Sequence, residues 1–373
     1  MTLRKLAPKR PSTRVRNLAA TVLWLLVCTG CAVQEASHAA TSKAVTPGKQ
    51  VAWPSAELVD SLRASPERWS ALRATCDRNL DYTPHPVADF TPPPHYVDRA
   101  GEQRIAKSLG DDGHTAYREA LCFALSGDRR YAQTSERILD AWAAGVQHID
   151  RGQGAADFNF TFPEYVLAAA MLRADSQWHD ATFKSFLRER VLPLSVASRS
   201  NNFGNWGVLL EASSAAYLND RRLMEQAISR WRALMLSQVS SDGSMAAEIC
   251  RSNTTDWCGG PDKGVNGLAY THYTLLPTTL AAEVLRNEGF NVYASNAGQQ
   301  LALAYARAAG WTLHPETFPY YASNGGHLNG VRNAAYFRIL QRRVPRTDGG
   351  VAIHQGNLGM DGYEIALLYG EVQ

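Results

Sequence analysis

From residue 51 onward apolar side chains recur at helical spacing, and almost nowhere do they alternate as a half-buried strand requires. The pattern predicts helices over Ala56–Arg63 and Pro66–Asn79. Pro84–Tyr96 holds five prolines and must run extended across the surface, since proline fixes φ and has no backbone N–H to donate. Helical periodicity resumes over Gly113–Leu125, with Ala116, Ala120, Leu121 and Ala124 inward, and stops at Gly127-Asp128. Tyr131–Ala144 repeats the design around Ile138, Leu139 and Trp142. Further helices are predicted over Pro163–Arg173, Asp180–Val191, Trp206–Leu218, Arg221–Val239, Leu268–Asn287 and Gln299–Ala309. Short punctuated helices in succession imply stacked helical hairpins, and a closed or nearly closed ring buries all their apolar faces. The expected class is all-α: an (α/α) toroid of hairpins, complete or incomplete, with an irregular C-terminal segment rich in Gly, Asn and aromatics.

The N-terminus reads differently. Six basic side chains (Arg4, Lys5, Lys9, Arg10, Arg14, Arg16) and no acidic one accompany the apolar run Leu18–Val27, and Cys28-Thr29-Gly30-Cys31 follows. That is the layout of an export signal, and the run is too short for a comfortable membrane span. Gly30-Cys31 also reads as a bacterial lipobox that would leave Cys31 lipidated; ordinary secretion with a cut near Ala39 or Ala40 is the other reading. The expected organisation is a signal over 1–31, a linker over 32–50 and one domain over 51–373. The protein is expected outside the cell or in the envelope, free or anchored through Cys31, monomeric and with no transmembrane domain. The chain carries a net charge of +3, and the six charges of the leader leave the remainder at about −3. A chain of that balance is not a nucleic-acid binder, and any polyanion must be held by a local cluster.

Four cysteines remain beyond the leader. Export favours pairing; Cys250 and Cys258 bracket a short loop, and Cys76 with Cys122 would tie an early segment to a helix. No Cys-x-x-Cys or His-x-x-x-His spacing accompanies them, so no metal is expected.

Candidate chemistry gathers in four places. Asn201, Asn202, Asn205 and Trp206 fall within Asn201–Gly207; carboxamides grip a carboxylate without titrating, although Asn and Gly also form ordinary helix caps. Glu248 and Arg251 follow the turn Ser241-Asp242-Gly243, and the two could simply pair. Tyr270, His272 and Tyr273 open a long helix, where two tyrosines three apart could merely pack one face. His327 lies in the Tyr320–His327 segment with Arg332 close behind; a structural histidine is the plainer reading. Taken together, the set lacks the acid pair of a glycoside hydrolase and suits β-elimination on a uronate polymer. The C5 proton lies α to a carboxylate, whose developing negative charge Asn and Arg can neutralise. A tyrosine can take that proton and return it to the departing O4, given a neighbouring cation to lower its pKa from about 10. No cofactor is required.

With these residues the chain resembles the alginate lyase superfamily of polysaccharide lyases, helical-toroid enzymes that cleave uronate-containing polysaccharides. The resemblance spans roughly Tyr96–Ala294: the hairpin Ala116–Trp142, the Asn-Asn-x-x-x-Trp segment, Asp242-Gly243 with Glu248 and Arg251, Gly267–Tyr270, and Ala281-Ala282-Glu283. It implies Asn202 as the carboxylate-neutralising asparagine, Arg251 as its supporting arginine, Tyr270 as base and acid, and Trp206 as a shaper of the sugar groove. Asn201, Asn205, Tyr273, His327 and Arg332 are the further substrate-binding candidates. Two departures stand out. Phe203 occupies the place where many relatives carry histidine, and Ser252–Gly264 separates Arg251 from Tyr270. His272, nearest Tyr270 in sequence, is expected to supply the missing imidazole, with His114 and His327 as substitutes. The expected partner is an acidic polysaccharide: mannuronate-rich alginate first, glucuronan or another acidic glycan next. The competing readings are a helical-toroid hydrolase or hydratase acting through Asp157, Glu164 or Glu248, and a glycan-binding surface protein without activity.

Overall fold

The computed structural model describes residues 52–370, apart from 174–176, 256–257 and 360–361. The expected export signal over 1–31, Cys31 and the linker over 32–50 lie outside the described residues. Two short helices, α1 (Ala56–Arg63) and α2 (Ser70–Arg78), lead into the extended proline-rich segment. There Asp89–Phe90 pairs in parallel with His148–Ile149, the one two-stranded ladder among the described residues. Helical hairpins then follow: α3 (Arg99–Ser126) with α4 (Arg129–Gly145), α5 (Gln153–Leu172) with α6 (Ala181–Phe186), and α7 (Asn202–Leu218) with α8 (Arg221–Gln238). After the single turn α9 (Ala246–Ile249) come α10 (Gly267–Asn287) and α11 (Asn296–Leu313). Three short helices, α12 (Phe337–Arg343), α13 (Thr347–His354) and α14 (Ile365–Tyr369), end the described chain.

The helices sort into two layers by composition. Helices α5, α7 and α10 are buried on nearly every side and pack in the order α3–α5–α7–α10. Helices α4 and α8 keep a polar outer face and bury only one stripe, as outer-layer helices must. Within the inner layer the helices run the same way. Phe160 meets Trp206 near the start of α5 and α7, and at the other end Arg173 donates to the carbonyl of Ala216. Each inner helix is followed by an outer one running back, which is the helical toroid expected from the sequence. The C-terminal segment closes the ring. Arg343 and Tyr369 grip Glu283 of α10, while Glu364 pairs with Arg118 of α3 and the carbonyl of Tyr363 accepts from Tyr117. Both expected disulfides, Cys76–Cys122 and Cys250–Cys258, are formed.

Helix α3 starts at Arg99 rather than at Gly113. The run Gly110-Asp111-Asp112-Gly113 reads as a breaker, yet two of its residues have a use inside the fold. Asp112 is fully buried and accepts from Tyr82 Oη (2.7 Å), the His85 amide (2.7 Å) and Trp142 Nε1 (2.6 Å). Gly113 lets the Tyr165 ring lie against the helix; a Cβ there would sit 2.7 Å from that ring. Helix α5 likewise begins ten residues before Pro163, which sits within the helix rather than at its start.

Candidate active site

Because the inner helices are parallel, their N-terminal ends meet on one side of the ring. The first turns of α7 and α10 deliver Asn202 and Tyr270, and the segment preceding α3 delivers Tyr96. Between α8 and α10 the chain makes a tight turn at Gly243 (φ +84°), a single helical turn α9, and then passes Arg251. Gly267 allows this excursion to touch α10, since a Cβ there would lie 2.0 Å from the carbonyl oxygen of Ile249.

Glu248 joins the parts. Its Oε1 accepts from the backbone N–H of Asn202 (2.9 Å) and its Oε2 from Asn202 Nδ2 (3.0 Å). Nε of Arg251 lies 3.6 Å from Oε2. All three side chains are buried: Asn202 is 0 %, Glu248 1 % and Arg251 4 % exposed. Burial pushes the Glu248 carboxyl upward, opposed by the charge of Arg251 and the two bonds from Asn202. Asn202 Oδ1 is buried without a hydrogen-bond partner, and so is Asn201 Oδ1. Asn201 occupies the cap position of α7, but its side chain makes no capping bond. The plain helix-cap explanation of these asparagines is therefore not what their side chains do.

The guanidinium of Arg251 lies over the Tyr270 ring, 4.6 Å from its centre. Tyr270 Oη hydrogen-bonds the Tyr96 hydroxyl. Burial and this bond push the Tyr270 phenol above its usual range, and Arg251 pulls the other way without prevailing. The sequence led us to expect the reverse shift; in the substrate-free site the phenol keeps its proton. One turn on, Tyr273 stands 6.2 Å from Tyr270, and Trp206 stands 5.0 Å from Tyr273. Phe160 meets Phe203, Trp206 and Tyr273 edge-on, so Phe203, at the place where the resemblance led us to expect histidine, belongs to an aromatic wall.

Other expected residues are placed elsewhere. His272 does not reach Tyr270. Two residues along a helix turn the side chain about 200° away, and His272 is buried on the far side of α10. Its Nδ1 lies 3.0 Å from Tyr336 Oη and its Nε2 3.0 Å from the carbonyl of Val331. Burial lowers its pKa to about 4, so it is neutral and supplies no cation. Asn205 is an interior clamp: Nδ2 donates to Gln238 Oε1 (3.0 Å) and Thr278 Oγ1 (2.8 Å), and Oδ1 accepts from Gln238 (2.9 Å). Arg332 turns toward the C-terminal segment, donating to the carbonyl of Gly356 and to Gln355. His114 bonds Glu164, further along α3 and α5. His327 is exposed and lies 3.1 Å from Asn329, which donates to Asn266, one turn before Tyr270.

Tyr96 escaped the sequence reading because it ends a proline-rich stretch without periodicity. Beside it, His95 Nδ1 lies 3.0 Å from Glu102 and the His95 amide donates to Gln153. Gln153 in turn donates to Asp157, whose carboxyl burial raises to about 7. Among the described residues no group of three or more His, Cys, Asp or Glu is placed to hold a metal, and no helix is long and apolar enough to cross a membrane.

A family model described as alginate lyase matches residues 55–318. Among curated proteins nothing matches. Solved structures similar to this chain include alginate lyase A1-III from Sphingomonas species A1, at 18 % identity and TM-score 0.64, covering 83 % of this chain and 94 % of that one. A variant of that enzyme complexed with a tetrasaccharide aligns with TM-score 0.65 at 18 % identity, over 84 % and 94 % of the two chains. An alginate lyase from Bacteroides ovatus is 16 % identical with TM-score 0.62, over 84 % and 97 %. At such identities the likeness is one of fold.

Proposed function

The chain belongs to the alginate lyase family and is a polysaccharide lyase; from that premise we propose that it is exported and cleaves a 4-linked uronate polysaccharide by metal-independent β-elimination at Tyr270. The sugar carboxylate is received by Asn202 and Arg251, aided by Asn201. Charge builds on that carboxylate as the C5–H bond breaks, and donors fixed in a buried site stabilise it far better than water-exposed ones. The ionised Tyr270 phenol takes the C5 proton and passes it to O4 as the C4–O4 bond breaks. A C4–C5 double bond forms on one fragment, and the other keeps O4 as a hydroxyl. Arg251 over the ring stabilises the phenolate that must form first.

The observation that carries this reading is the contact chain Asn202–Glu248–Arg251–Tyr270, which gathers residues scattered over 68 positions. A second support is global. Four parallel helix N-termini, each worth roughly half a positive charge, point toward this side of the ring, and a polyanion is the ligand such a field favours. The protein needs that local field because its overall charge beyond the leader is acidic. Tyr273 and Phe160, backed by the buried Trp206, supply an apolar wall for sugar faces. By its family, mannuronate-rich alginate is the first substrate and glucuronan the next.

The test is incubation of the purified protein, without its leader, with alginate, glucuronan and glycosaminoglycans, following the ultraviolet absorbance of the double bond conjugated to the carboxylate. The expected result is absorbance that rises with chain scission on at least one uronate polymer. New reducing ends without absorbance contradict elimination, and binding without scission contradicts catalysis.

A further inference from the structure

Glu248 is the side chain a polyanion site should least tolerate. A sugar carboxylate received by Asn202 and Arg251 would lie within a few ångströms of a second, buried carboxylate, and like charges repel strongly where water is excluded. The anion also cancels the positive charge that Arg251 brings. A group that weakens binding yet sits at the centre must contribute something else, and its contacts state what that is.

Both oxygens are occupied by donors from Asn202, one from the backbone and one from the amide. Because both are acceptors, the Asn202 amide cannot turn over: Nδ2 must face Glu248, which leaves the second Nδ2 hydrogen and Oδ1 in set directions. The backbone bond simultaneously ties the first turn of α7, otherwise short of N–H partners, to α9. On its other side the carboxylate lies 3.6 Å from Nε of Arg251, an ion-pair separation without a hydrogen bond, and its charge draws toward it the guanidinium that overlies Tyr270. One residue thus sets the spacing between the carboxylate-binding amide and the phenol.

We propose that Glu248 is a positioning residue for the elimination, holding Asn202 and Arg251 in the arrangement that receives the transition-state charge at a cost to ground-state affinity. The proposal rests on the reading of Asn202 as the group that binds the sugar carboxylate. It predicts a split that a merely structural carboxylate would not produce. Losing the negative charge removes a repulsion felt by bound substrate, so KM stays level or falls. Losing the alignment removes stabilisation felt only in the transition state, so kcat falls.

The experiment compares Glu248→Gln, Asn202→Ala and the double variant on whichever uronate polymer the wild-type protein cleaves, with thermal melts to verify folding. The expected result for Glu248→Gln is a kcat about tenfold or more lower, with KM unchanged or reduced. The double variant should be no more than about twofold slower than Asn202→Ala alone, because Glu248 acts through a residue already removed. Losses that multiply, or a raised KM at unchanged kcat, overturn the proposal while leaving Asn202 in its role. A wild-type rate in Asn202→Ala overturns that role, and the proposal falls with it. Should Glu248→Gln fail to fold, Glu248→Asp serves instead. It keeps the charge and withdraws the carboxylate by one methylene, so kcat should fall at unchanged KM, again without multiplying on Asn202→Ala; an unimpaired Glu248→Asp overturns the proposal.

Discussion

Tyr270 carries a proton in the free site and must lose it before it can act as a base. Burial, the Tyr96 hydroxyl and, last, the charge of Glu248 hold the phenol up, and Arg251 opposes them. The active ionised fraction is therefore small near neutrality and grows as pH rises. We expect kcat/KM to climb by about tenfold per pH unit between roughly pH 7 and 9, measured under buffers of constant ionic strength. A flat profile, or a decline across that range, would remove the phenolate from the mechanism. Tyr96→Phe deletes the neighbouring group that raises the phenol most, so the same rising limb should move to lower pH; no displacement would mean that the hydroxyl contact has no bearing on the proton. His272 shows how residue identity misleads without periodicity. It lies two positions from Tyr270, yet the helix turns it into the core, where it is neutral and bonded on both nitrogens. The 3.6-residue period alone could have excluded it.

Among the elements, α9 and the first turn of α10 matter most, because one carries Glu248 toward Arg251 and the other carries Tyr270. They approach backbone to backbone at Gly267, against the carbonyl of Ile249. Gly267→Ala should force them apart, lowering turnover by about tenfold or more and costing about 1–3 kcal/mol of stability, as overpacked sites do. Unchanged kinetics and melting temperature in that variant would show the contact to be slack. The longer helices were legible from apolar spacing, and the ends of α1, α4, α8 and α10 fall within two residues of expectation, whereas the short α9, α12, α13 and α14 were not named and the last three stand where an irregular segment was expected. What was not legible were the starts of α3, α5 and α7: Gly113 obeys a tertiary demand, the close approach of Tyr165, Pro163 lies inside α5, and α7 begins four residues before the expected Trp206. The same limit applies to the site. Asn202, Arg251 and Tyr270 were named from chemistry and resemblance, and they do meet. Asn205 and Arg332 were named by residue type, and their partners lie elsewhere. Tyr96 comes from a segment whose sequence says only that it is extended.

On the scale of the whole molecule, ring closure and chemistry sit at opposite ends of α10. Glu283 lies thirteen residues past Tyr270, about 20 Å along the helix, where Arg343, Tyr293 and Tyr369 satisfy it. Burial raises this carboxyl, but the Arg343 hydrogen bonds and charge outweigh it and leave it below the usual range. A carboxylate depressed in the folded state adds stability above its unfolded pKa and surrenders it as pH falls through the folded value. His272, lowered to about 4, contributes a loss of the same sign as pH falls from about 6.5 toward 4. Melting temperature should therefore fall on acidification below about pH 4.5, where the Glu283 contribution is lost, whereas between about pH 6.5 and 4.5 the His272 loss is opposed by Asp157, whose raised carboxyl gains stability as pH falls. Glu283→Gln should cost about 3–5 kcal/mol of stability and leave KM unchanged, since it breaks the clasp and not the groove; a variant as stable as wild type would contradict that account of ring closure. In the proposed mechanism the fold sets one phenol beside one carboxylate-binding pair. The most direct test is Tyr270→Phe, assayed on the cleaved polymer for both turnover and binding. We predict turnover lower by about 10²-fold or more with polymer affinity within about twofold of wild type; a Tyr270→Phe variant that still forms the unsaturated product at the wild-type rate would contradict the account.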